Sequence, residues 1–412
     1  MPRFSDRYDT LPAYPLAHIP ARKRALLAAG VDVIDLGAGD ADLPAPPEAI
    51  AAMHQALDVP AMHRYGFGMG YVPFREAIAR YMHERFAVTV DPTTEVVPLI
   101  GSKEGLAHIA LAFLQPGDVA VVPDPAYGAY MGGTLLASAE PYVVQLTARN
   151  GFLVELDDIP ADVLTRTRVV YLNYPNNPTG ATAPREYLER VVRRCVERDI
   201  LLVYDNAYAE LGFDGYVPPS IFEIEGAREV AIEFHSVSKT FNMTGWRCGW
   251  AVARPELAGA LARVKNFIDT GSFLAVQVAA TAALEARHAF VPGNVAVFRE
   301  RRDAAVAAFA AAGFACAAPQ AAMYLWVPLP EGIVSARFAD RLREQEGVIV
   351  MPGSGFGQGG EGYFRVSFIE SPQRTAIAAG RAGRVLAQLQ AEGEHEDEHQ
   401  RLATANFVVA AS

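Results

Sequence analysis

The chain has 412 residues, of which 51% are hydrophobic and 20% charged, with 36 Lys+Arg against 47 Asp+Glu and a formal net charge of −11. So much apolar material excludes a disordered chain, and the acidic balance excludes the broad basic surface that phosphate-backbone binding needs, so no nucleic-acid partner is expected. A length beyond the roughly 250–300 residues that one hydrophobic core serves predicts two domains.

The first nine residues mix charges without an apolar run, so they read as neither a secretory signal nor a membrane anchor. No later run of about 18 apolar residues appears, and no membrane partner is expected. Cys195, Cys248 and Cys316 are far apart and form no CxxC pair, a usage that suits reduced thiols and predicts a cytoplasmic location.

In chain order, residues 1–45 read as an N-terminal arm and part of a small domain. From 46 to 288, short β-branched apolar runs alternate with helix-length segments. The runs lie at 96–100, 119–122, 142–144, 169–172, 201–204, 230–234 and 248–252, each bounded by turn residues, which predicts buried strands in a mainly parallel sheet. Between them, 184–194 sets Tyr187, Leu188, Val191 and Val192 on one helical stripe that should cover a sheet face. The expected fold class is α/β: a large domain with its sheet between helices, then a smaller α+β domain over 289–390. In the latter, 297–312 and 376–390 read as helices, and 324–327 and 364–368 as strands. Residues 391–412 read as a mobile acidic tail.

Four segments sit where apolar runs end, the place where an open α/β sheet collects its ligands. They are Gly101-Ser102-Lys103-Glu104-Gly105, Tyr174-Pro175-Asn176-Asn177-Pro178-Thr179-Gly180, Tyr204-Asp205-Asn206-Ala207-Tyr208, and the stretch from Ser236 to Arg247 that reads Ser-Val-Ser-Lys-Thr-Phe-Asn-Met-Thr-Gly-Trp-Arg. Taken singly, each has a plain structural explanation. Lys239 could be a surface lysine at a helix start, Asp205 a helix N-cap, and Asn177 a turn residue. Ser236 and Ser238 could satisfy local backbone groups, and Tyr127 could be a core tyrosine.

Together and in this order, the segments resemble the class I and II aminotransferases of the fold type I pyridoxal-phosphate enzymes, over about residues 34–389. The resemblance implies that Lys239 holds pyridoxal 5'-phosphate as a Schiff base and moves the substrate's α-proton. Such a lysine must be able to give up its own proton, which cationic and apolar neighbours favour. Asp205 is implied as the partner of the ring nitrogen, since the ring withdraws electrons only while that nitrogen stays protonated. Asn177 and Tyr208 are implied as donors to the ring's phenolic oxygen, Tyr127 as the ring that stacks on the cofactor, and Ser102, Lys103, Ser236, Ser238 and Arg247 as the phosphate site. Arg365 is a charge inside the apolar run 363–367 and is the best fork for a substrate α-carboxylate; Gly39 and Asn177 would join it. Tyr65 matches a tyrosine that the family donates to its neighbour's phosphate, which implies a homodimer with shared sites.

The implied reaction is ping-pong transamination between an L-amino acid and a 2-oxo acid. The branch most resembled includes LL-diaminopimelate aminotransferases and broad alanine, aspartate and glutamate aminotransferases. Residues 66–71, 272–275 and 358–360 depart from that branch where the substrate side chain should lie, which leaves open a specialised substrate or the same cofactor chemistry diverted to oxidation, elimination or cyclisation. Two other motifs are decoys. Gly355-Phe356-Gly357-Gln358-Gly359-Gly360 fits GxGxxG but precedes a strand rather than a helix, so an active-site loop is expected instead of NAD binding. His395-Glu396-Asp397-Glu398-His399 fits HExxH in an acidic tail with no apolar stripe, so no catalytic metal is expected.

Overall fold

The computed structural model describes residues 2–12, 19–66 and 69–409, with side chains to residue 392. Its strands are β1 (Ile34–Asp35), β2 (Val96–Leu99), β3 (Val119–Asp124), β4 (Glu140–Gln145), β5 (Thr167–Asn173), β6 (Leu201–Asp205), β7 (Ala231–Ser236), β8 (Gly249–Ala253), β9 (Tyr324–Pro328), β10 (Val348–Ile349), β11 (Met351–Pro352) and β12 (Tyr363–Ser367). The chain divides into two units. One comprises Met1–Ala13, Gly39–Arg299 and Pro319–Met323; the other comprises Tyr14–Ala38, Glu300–Ala318 and Tyr324–Ser412.

The first unit is built on a seven-stranded sheet in the order β2-β8-β7-β6-β5-β3-β4. Its pairs are parallel except those made by β8, which runs against both β2 and β7. Alternation along each strand feeds two apolar layers. Val203 and Ile232 face Leu106, Ile109 and Leu261, on the helices Ser102–Phe113 and Pro255–Ile268. On the opposite face, Leu202 and Tyr204 meet Leu188 and Val191 of the helix Arg185–Arg198. Both faces are therefore covered, as the near-continuous apolar runs require. The seven runs read from the sequence all fall on this sheet.

The second unit carries the antiparallel sheet β11-β12-β9 and the parallel pair β1-β10. Phe364 of β12 points into an aromatic core with Phe314 and Phe338, at ring distances of 5.3 and 4.9 Å. Its neighbour Arg365 therefore points to the other sheet face.

The structure departs from the sequence reading at two helices. The helix expected from 297 begins at Arg287 and runs unbroken to Ala311 with Pro292 inside it. The closing helix spans Pro372–Val409, past the start of the expected tail, and Glu392 pairs with Arg337 at 2.8 Å and Arg341 at 2.5 Å. The side chains of the HExxH residues lie outside the described set. The GxGxxG segment forms two 3-10 turns, Gly353–Phe356 and Gln358–Gly360. Among the described residues, no helix is long and apolar enough to cross a membrane.

Those two turns close on each other so tightly that a Cβ on Gly360 would fall 2.1 Å from the Gly353 carbonyl oxygen. Backbone cannot yield as a side-chain tip does, so Gly360→Ala is expected to cost about 2 kcal/mol or more. A shift of the urea midpoint at unchanged slope would register it, and an unshifted midpoint would remove the packing role.

Candidate active site

In the first unit, the carboxyl ends of β3, β5, β6 and β7 lie along one edge of the sheet, and the candidate residues follow from them. β6 ends on Asp205, 5% exposed. Its Oδ2 accepts a hydrogen bond from Tyr130 Oη at 2.7 Å, while Oδ1 is buried without a hydrogen-bond partner among the described residues. Burial pushes this carboxyl up to about 6, against the opposing hydrogen bonds from Tyr130 and the Ala207 N–H. Burial and the facing Asp205 carboxylate push the Tyr130 hydroxyl far above its ordinary value, so it remains a donor.

β5 ends on Asn173, which organises the next loop. Its Nδ2 donates to the Asp205 carbonyl at 2.7 Å, and its Oδ1 accepts the Asn177 N–H at 2.8 Å. Asn177 and Tyr208 are both buried. From β7 the chain passes into the short helix Val237–Thr240, with Ser236 as its N-cap: Ser236 Oγ accepts the Ser238 N–H at 3.1 Å and donates to Ser238 Oγ at 2.8 Å. Lys239, one residue on, donates through Nζ to the Gly39 carbonyl.

The third element is a cup at the start of the helix Ser102–Phe113. Gly101 precedes it with φ +73°, and a Cβ there would fall 2.4 Å from Arg247 Nη2, so the guanidinium lies directly against the glycine. That approach is open only to glycine. Arg247 also donates to the Thr244 carbonyl at 2.8 Å. Lys103 Nζ stands 5.6 Å from the Tyr127 ring centre, and Tyr127 meets Tyr130 edge-on at 5.9 Å. One continuous set of contacts thus links Lys103, Tyr127, Tyr130, Asp205, Asn173 and Asn177. Tyr65 is 69% exposed.

In the second unit, Arg365 is 4% exposed and donates from Nη2 to the Gly37 carbonyl at 2.7 Å. Its guanidinium lies 4.2 Å from the Tyr324 ring centre and 4.8 Å from that of Phe356. Two aromatic faces hold the planar fork in one orientation.

Sequence reasoning missed Tyr130 and Asn173. Asn173 is the polar residue that ends an apolar run, so a polarity break was the available signal; Tyr130, at the start of the helix Ala129–Leu136, left none.

These residues fit a phosphorylated pyridine aldehyde. The helix start, the paired serines and Arg247 carry the N–H, hydroxyl and guanidinium donors that a phosphate dianion takes, the unpartnered oxygen of Asp205 suits a protonated ring nitrogen, and Lys239 carries an amine. The family model for aminotransferase class I and II matches residues 31–381. An LL-diaminopimelate aminotransferase of Desulforudis audaxviator is 48% identical over 88% of this chain and 92% of its own length. One from Moorella thermoacetica is 45% identical over 93% and 98%. Among solved structures, substrate-bound BacF from Bacillus subtilis superposes with a TM-score of 0.89 at 33% identity, covering 93% of this chain and 98% of that one. The chain belongs to the class I and II aminotransferases. It is a pyridoxal 5'-phosphate-dependent transaminase of fold type I.

The raised Asp205 value has a measurable sign. Without cofactor, the folded state binds this proton more tightly than the unfolded chain, so the stabilisation is complete below about pH 4 and is lost as pH rises through about 6. Asp205→Asn keeps an acceptor for Tyr130 and removes the charge. The cofactor-free variant should match the wild type near pH 4 and exceed its stability above pH 6, by on the order of 3 kcal/mol, in denaturation of both apo forms. Equal stability near pH 8 would show that this carboxylate carries no burial cost.

Proposed function

We propose that this chain transfers an amino group from LL-diaminopimelate to a 2-oxo acid, 2-oxoglutarate or pyruvate, in two ping-pong half-reactions. The observation that carries the substrate is the 48% identity to an LL-diaminopimelate aminotransferase over 88% of the chain. For the chemistry, the support is the buried Asp205 carboxylate in the same unit as the Lys239 amine.

When bound, pyridoxal phosphate supplies an electrophilic carbonyl carbon and an electron-withdrawing ring. Lys239 Nζ would hold the group covalently, and its amine, once free, would take the proton from the substrate's α-carbon. Asp205 would keep the ring nitrogen protonated, while Tyr130 donates to Oδ2 and Asn173 fixes the backbone. Asn177 and Tyr208 would donate to the phenolic oxygen, and Tyr127 would cover the ring. Ser102, Lys103, Ser236, Ser238 and Arg247 would bind the phosphate through hydroxyls, charge and the helix start. Arg365 would bind the substrate's α-carboxylate as a two-pronged fork, and Gly39 and Asn177 are the other residues proposed to bind substrate.

The assembly proposed is a homodimer in which Tyr65 serves the partner's phosphate. Its high exposure supports this, as do the exposed apolar residues Phe267, Ile268 and Phe273. Symmetric dimers are also the commonest assembly. A cytoplasmic location is proposed from the unpaired thiols of Cys195, Cys248 and Cys316.

Purified protein given LL-diaminopimelate and 2-oxoglutarate should form glutamate, and Lys239→Ala should lower turnover by several orders of magnitude. Turnover with other amino donors but none with LL-diaminopimelate would reject the substrate and leave the chemistry. Near-normal turnover of Lys239→Ala would reject the lysine's role. The shared site has its own test, in which Lys239→Ala chains are mixed with Tyr65→Ala chains after each homodimer is confirmed impaired. Verified heterodimers then contain one intact site, and activity should rise above the average of the two parents. No rise would assign Tyr65 to its own subunit.

A further inference from the structure

Behind the proposed phosphate cup lies a cluster of charged groups that the reaction does not use. Glu104, in the first turn of the helix Ser102–Phe113, accepts at Oε2 from the Ile100 N–H at 3.1 Å and from Lys265 Nζ at 2.7 Å. Its Oε1 lies 2.6 Å from His108 Nδ1, one turn further on. Lys265, on the helix Pro255–Ile268, is only 6% exposed and also reaches both oxygens of Asp269, at 3.1 and 3.2 Å. Asp269 in turn accepts the Gly271 N–H at 2.7 Å. Glu104, His108 and Asp269 stand close enough to frame a metal ion, but the Lys265 ammonium already holds the two carboxylates together.

Glu104 fixes the backbone immediately before Gly101, the residue against which Arg247 packs. In doing so it brings a negative charge to the helix start that is read as the seat of a phosphate dianion. Like charges at a partly buried site weaken anion binding unless a cation balances them. We propose that Lys265 is a positioning residue for the cofactor's phosphate: it offsets the Glu104 charge while also pairing with Asp269, so that Glu104 can hold the Ile100-Gly101 backbone with less repulsion of the dianion. The proposal rests on the phosphate cup described under the proposed function.

The test measures equilibrium binding of pyridoxal phosphate, of pyridoxal without its phosphate, and of inorganic phosphate to apo-protein. The proteins compared are the wild type, Lys265→Met, Glu104→Gln, the double variant and Arg247→Ala. Lys265→Met should weaken pyridoxal phosphate and inorganic phosphate by about tenfold or more and leave pyridoxal within about twofold. Adding Glu104→Gln should restore most of the loss, because it removes the charge left unbalanced. Equal loss for pyridoxal, unchanged phosphate affinity, or no recovery in the double variant each overturns the balancing role. Should Lys265→Met fail to fold, folding of the double variant supports the proposal. Should neither fold, Glu104→Gln decides: phosphate affinity held or tightened supports the proposal, and a tenfold loss overturns it. Arg247→Ala separates the two readings, since unchanged phosphate affinity there rejects the cup itself, whereas a loss there with none in Lys265→Met rejects only the balance.

Discussion

A carboxylate at the end of a buried central strand is the constraint around which the first unit is arranged. Asp205 is almost wholly buried, so its free energy depends on what is brought to it: the Tyr130 hydroxyl, the Ala207 N–H and, in the proposed mechanism, a cationic ring nitrogen. Each partner comes from a different segment. Tyr130 requires the helix Ala129–Leu136 against the sheet, Ala207 requires the turn after β6, and Asn173 ties β5 to the Asp205 carbonyl. The parallel order β6-β5-β3 brings these ends to one edge, which a meander of hairpins would not do.

A second physical device operates at the proposed phosphate cup. A helix start offers N–H groups, but it holds a dianion firmly only with charge and shape added. Here the shape comes from a glycine with no Cβ to obstruct Arg247, and the backbone ahead of it is fixed by Glu104. The lysine loop depends on similar economy: Ser236 caps the short helix that carries Lys239, and Asn242, at φ +54°, turns the chain while its amide donates to Asn294 at 3.0 Å.

Much of this was legible in the sequence because the governing signals are local. The seven central strands appear as apolar runs bounded by turn residues, and the reactive segments follow those runs at their carboxyl ends. What was hidden depends on distant partners. The two-residue pair β1-β10 joins Ile34 to Val348 and leaves no periodicity to read. The helix Arg287–Ala311 contains Pro292, a residue that reads as a boundary, yet it continues. Lys265 and Glu104 each look like an ordinary helix-surface charge until folding brings them within 2.7 Å. Tyr130 was passed over for the same reason, since its partner Asp205 lies 75 residues on, at the end of β6.

The burial of Asp205 also reaches beyond catalysis. A group that is costly in the empty protein and paired in the loaded one makes the cofactor a ligand of the folded state, whose binding shifts the folding equilibrium by mass action. The charge proposed to serve the chemistry would thus also let cofactor binding add to the stability of the folded chain.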